Sequence, residues 1–205
     1  MDYAGFLRAM RCRYPGLINL EELLSKGNAS RTYTRECRIA MVEVPSDGQP
    51  CGAPVSFESP ESLRSHLLQT ASPQESVHRR VYVLENLNLG YIEVFGTHFN
   101  IDPCIFATQI RTTNWTAKND ENNTPKLLSC RDPMVSFTLR YNELRIFDDP
   151  IHGGPRLIDA SAGRQIDTAR GMEDFERIGL VRRCASFWSQ KKENGWDGIQ
   201  HSNVF

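Results

Sequence analysis

Residues 80–109, RVYVLENLNLGYIEVFGTHFNIDPCIFATQ, constrain the fold more than any other stretch, because they spell a strand, a turn and two successive helices without interruption. Val81, Tyr82, Val83 and Leu84 are β-branched, aromatic or aliphatic, and Asn86 to Asn88 supply turn residues before the apolar period lengthens. From Leu89 onward, Ile92, Phe95 and Phe99 recur at three- and four-residue steps, which predicts a helix with one stripe against a sheet. Asn100 stands where that helix should stop. Asp102 can accept from the free amides of a following helix, Pro103 suits its first turn, and Ile101 is placed to pack on Phe106 as a hydrophobic staple.

The remaining chain fits the same alternation of elements. Residues 1–30 read as a helical arm broken at Tyr14-Pro15-Gly16, and residues 36–44 (ECRIAMVEV) read as a buried strand. A Gly- and Pro-rich connection over residues 45–54 leads to Ser59, a helix cap, with Pro60 in the first turn and Leu63, Leu67 and Leu68 on one side. The opening order is therefore β-α-β-α-α. Residues 114–125 are polar and turn-rich, and beyond them Val135, Phe137, Leu139 and Tyr141 alternate with Ser136, Thr138 and Arg140 in the pattern of a strand. Residues 148–171 read as a long excursion, and residues 178–188 (IGLVRRCASFW) as another strand. The remainder, residues 191–205, is expected to be a polar tail that builds no core element. The fold class is a mixed α/β sheet flanked by helices over residues 31–190.

Charge and cysteines narrow the function classes. The 24 basic and 25 acidic residues leave a formal charge of −1, which removes the broad attraction that nucleic acid or anionic lipid needs. No apolar run approaches the length of a membrane span. The six cysteines include no CxxC pair, so neither a zinc ribbon nor a disulfide framework is indicated, and a reduced, cytoplasmic chain is expected.

Candidate sites are sparse. Asp148, Asp149 and His152 place two carboxylates and an imidazole in one loop, and Glu173 with Asp174 forms a second acidic patch. Either can offer a divalent cation its ligands, although turn chemistry and a solvated helix start account for the same residues. His98 lies near the end of its helix with Cys104 six positions on, but no nucleophile elbow accompanies it. Gly153-Gly154-Pro155-Arg156 lacks the lysine of a phosphate-binding loop. Arg79-Arg80 and Arg182-Arg183 are expected to protect sheet edges or form ion pairs.

Taken in order, VYVLENLNLGYIEVFGTHFNIDPCIF, KLLSCRDPMVSFTLRYNELRIF and GLVRRCASFW resemble the soluble amino-terminal part of fungal CorA-like proteins, over residues 80–188. In that family, related to magnesium transporters, a helix ends in a phrase that corresponds here to His98-Phe99-Asn100-Ile101-Asp102-Pro103. The resemblance implies a non-catalytic regulatory or assembly domain on the cytosolic face of a membrane, working through protein partners or self-association, with magnesium as its ion. It does not extend to ion conduction. The family's Gly-Met-Asn pore signature has no counterpart, since Gly171-Met172-Glu173 lacks the asparagine and no apolar span precedes it. The alternatives are a stand-alone protein–protein interaction module that has lost transport and a hydrolase using His98 or His152. No small-molecule substrate is indicated by any motif.

Overall fold

The computed structural model describes residues 2–11, 17, 20–21, 37–45, 51–69, 78–111, 135–146, 157–159, 164–168, 178–192 and 195–202. Their elements are α1 (Tyr3–Arg11), β1 (Arg38–Glu43), β2 (Val55–Phe57), α2 (Pro60–Gln69), β3 (His78–Glu85), α3 (Leu89–Phe99), α4 (Pro103–Arg111), β4 (Ser136–Ile146), β5 (Leu157–Asp159), β6 (Arg164–Thr168), β7 (Ile178–Lys192) and β8 (Gly195–Ser202). The strands form one mixed sheet in the order β2-β1-β3-β8-β7-β6-β5, with β4 paired to β7 as a branch. Only β3 and β8 run parallel among the described pairs.

The helix ends follow the sequence closely. Asn88 caps α3 by accepting from the Gly90 amide at 2.8 Å, and Asn100 ends it in the left-handed region at φ 52°. Asp102 caps α4 through the Cys104 amide at 2.8 Å, and Ile101 and Phe106 are both buried in the core. Ser59 accepts from the Ser62 amide at 3.1 Å to open α2. That helix buries Leu63 and Leu67 but leaves Leu68 exposed, because the inward stripe is filled by residues four apart.

Cross-strand register defines the face under the helices. One row runs Ile39, Leu84, His201, Ser186 and Thr138, and the next runs Met41, Tyr82, Ile199, Trp188 and Ser136. Phe95 and Phe99 of α3 meet Tyr82 at 5.5 and 6.0 Å between ring centroids, and Phe99 meets Trp188 at 5.4 Å. Gln109 of α4 donates to Ser186, whose hydroxyl also lies 2.9 Å from Thr138 Oγ1. Outside α3 lies α1, where Tyr3 covers Gly96 and its hydroxyl donates to the Ile101 carbonyl at 3.0 Å. A Cβ at Gly96 would fall 2.5 Å from that ring, so the close approach requires glycine there.

Three expectations change. Residues 195–202 are not a tail but β8, in the middle of the sheet between β3 and β7. Their polarity is compatible with burial because Asp197 pairs with Lys192 and Gly198 admits the ring edges of Phe187 and Trp196. Within the expected excursion 148–171, Leu157–Asp159 and Arg164–Thr168 form an antiparallel hairpin that joins β7. The connection before α2 contributes β2, a short edge strand on β1. The mixed α/β architecture, a sheet flanked by helices, agrees with expectation.

Candidate functional site

The five residues that sequence offers as metal ligands, Asp148, Asp149, His152, Glu173 and Asp174, lie outside the described residues, as does the Gly153–Gly154 loop. Among the described residues no group of three or more His, Cys, Asp and Glu side chains converges as a metal site. His98 sits in the last turn of α3 with its ring 4.6 Å from Phe99, edge to face. Burial, and next the Lys192 ammonium, hold its pKa below the ordinary value. Cys104 serves at the start of α4, where its amide closes the Asp102 cap.

A charged row crosses the sheet where β3 and β8 begin. Glu43, Arg80, Asp197 and Gln190 are successive register partners. Arg80 is buried and donates through Nε to Glu43 at 3.2 Å, while Lys192 pairs with Asp197 and lies 5.9 Å from the Phe99 ring centre. His66 from α2 approaches the same row between Phe57 and Tyr82. Burial and then Arg80 lower its pKa, so the imidazole is held neutral. Each charge in the row faces an opposite one, which suits tying strand ends together.

The opposite end of β3 opens on a cleft of about 820 Å³ lined by Cys37, Arg38, Glu58, Glu85, Asn88 and Tyr91 among others. Two of its polar groups already have structural work. Cys37 Sγ donates to the Asn86 carbonyl at 3.4 Å, and Tyr91 donates to the Phe57 carbonyl at 3.2 Å. Burial, with Glu85 adding to it, pushes the Cys37 thiol up to about 12, so it stays protonated and is a poor nucleophile.

The third feature is a surface. β4 pairs with β7 over its full length from Ser136–Trp188 to Ile146–Ile178 with no bulge. Thr138 faces α4, so Phe137, Leu139 and Tyr141 stand on the face turned away from the helices. They are 40%, 59% and 46% exposed, and Phe137 stacks on Phe187 at 5.5 Å. On the helix side the ribbon also exposes Leu144, Ile146 and Leu180, with Leu144 and Leu180 directly opposite. The sequence shows this alternation plainly, but period alone does not say which side stays wet. Its charged residues behave as the ion-pair reading expected: Arg183 is buried and donates to Glu143 at 2.6 Å, with Arg145 donating to the other oxygen at 3.0 Å.

Of the three, the cleft has Cys37, Asn88 and Tyr91 engaged in holding the fold and the charged row has its charges paired, whereas the β4–β7 ribbon presents exposed apolar surface. Compared with protein-family models, with curated proteins and with solved structures, the chain matches none.

Proposed function

We propose that this chain is a non-catalytic assembly domain that acts through the β4–β7 ribbon, in the manner of the regulatory domain of a CorA-like protein. The observation that carries this reading is the exposure of Phe137, Leu139 and Tyr141 in one row on a strand that is an edge among the described strands. Apolar rows of this kind mark contact surfaces more often than they persist without purpose. The CorA-like part of the reading rests on residues 80–106, where a strand, a helix ending at Asn100 and a helix starting at Pro103 follow in the order the resemblance requires. Among the described residues no helix is long and apolar enough to cross a membrane, so conduction is not assigned to them.

Magnesium is the ion that this reading implies, through Asp148, Asp149, His152, Glu173 or Asp174. Calorimetry and thermal melting with millimolar magnesium test it. Binding heat and a raised melting temperature, both reduced by Asp148→Ala or Asp174→Ala, are the expected result. If magnesium gives neither response, regulation by the ion falls, and the stand-alone interaction module, favoured by the same exposed row, takes its place.

A further inference from the structure

The outer side of β4 gives the assembly reading a specific partner. Ser189 donates its amide to the Val135 carbonyl at 2.8 Å, so the odd-numbered residues of β4 direct their main-chain groups toward β7. Ser136, Thr138, Arg140, Asn142 and Leu144 therefore direct theirs outward, and among the described strands β4 pairs with β7 alone. Edge strands are ordinarily blunted by charged side chains, lysine above all, by proline, a bulge or brevity. This one, SFTLRYNELRI, is eleven residues long with no lysine, proline or bulge, and of its three charged residues Glu143 and Arg145 are paired with each other, Glu143 also with Arg183.

The exposed apolar row Phe137, Leu139 and Tyr141 lies beside these outward main-chain groups, which decides how the ribbon is covered. A helix or sheet laid on that face would leave the outward amides and carbonyls unpaired. A strand added at the edge reaches the same row and satisfies the outward amides and carbonyls as well. The strand most readily supplied is β4 itself, because its sequence is complementary to its own reverse. With Leu139 on a two-fold axis, Phe137 faces Tyr141 of the partner subunit and Thr138 faces Arg140 of the partner subunit. The outward-directed even residues then meet as hydrogen-bonded pairs, while Leu139 meets its own copy as a close, non-hydrogen-bonded pair.

We propose that two copies of this chain associate by antiparallel pairing of β4 with β4, Leu139 lying on the axis, so that the two sheets become continuous. The proposal rests on the assembly reading above and names its partner.

Light scattering across a micromolar concentration series and cysteine crosslinking test it on the full chain. The native protein is expected to rise from the mass of one chain toward two, and Leu139→Glu to remain at one, melting as the native chain does at dilutions where both are single chains. Leu139→Cys places two thiols about 4.5 Å apart by Cα, inside the disulfide range. It should form a reducible dimer several-fold more efficiently than Phe137→Cys, which faces tyrosine, or than the native chain with its own exposed Cys51. A native mass of one chain at every concentration overturns the proposal, as does equal crosslinking by the two cysteine variants. A lone chain that still responds to magnesium would sink the self-pairing and leave the regulatory reading standing. A dimer without a magnesium response would do the reverse.

Discussion

Arg183 is 1% exposed, yet it stands in a strand whose neighbours on β4 are open to water. A guanidinium so placed needs a carboxylate, and Glu143 supplies it at 2.6 Å. That hydrogen bond is the main reason the Glu143 carboxyl ionises below its ordinary range, with Arg145 assisting and burial opposing. Glu143→Gln should therefore destabilise the chain by about 1–3 kcal/mol in chemical denaturation, the figure moderated because Glu143 is partly open to screening water. The histidines set a separate window. His66 and His98 both have folded pKa values below the ordinary 6.5, so the unfolded chain takes up protons first as the solution is acidified. Stability is expected to be full above about pH 6.5 and to fall as pH drops from there through the folded values. The Glu143 contribution is lost only further down, below its ordinary 4.5. Melting curves of the double variant His66→Gln, His98→Gln should be flatter across the upper window and unchanged in the lower one.

At the scale of elements, α3 and α4 show what was legible and why. Asn88, Asn100, Asp102 and Pro103 act on amides within a few residues of themselves, so local sequence is enough to read them. Asn100 holds a left-handed conformation at φ 52° that costs most side chains about 1–2 kcal/mol. Asn100→Gly should be neutral or slightly stabilising in thermal melts, while Asn100→Ala should lose about 1 kcal/mol, whatever the function is. The ribbon was only half legible. Alternation in residues 135–141 identifies a strand, but its inward side is decided by where α4 lands through Gln109 and Ser186, a contact between distant segments. β8 was not legible at all, because GWDGIQHS contains too few β-formers and its burial depends on partners elsewhere, Lys192 for Asp197 and the Phe187 ring for Gly198. The candidate ligands near residues 148 and 173 rest on the sequence alone, since they lie outside the described residues.

For the molecule as a whole, the sheet is two antiparallel sections stitched by one strand. β2, β1 and β3 form one section, β4 to β7 form the other, and β8 joins them by pairing parallel to β3 and antiparallel to β7. A chain ended after Lys192 should therefore lose more than eight residues of contacts. It is expected to show no cooperative melting transition and to sediment as aggregate, whereas a full chain carrying Ile199→Val should keep its transition at a modest cost of about 0.5–1.5 kcal/mol. β8 also fixes a sequence of events during synthesis. The keystone of the sheet leaves the ribosome after every other described strand and only two residues behind β7, so it is β3 that waits with an edge open while residues 86–194 are made. In each nascent copy the long-lived seam is therefore the one on β3, and it closes when β8, delivered together with β7, docks on it.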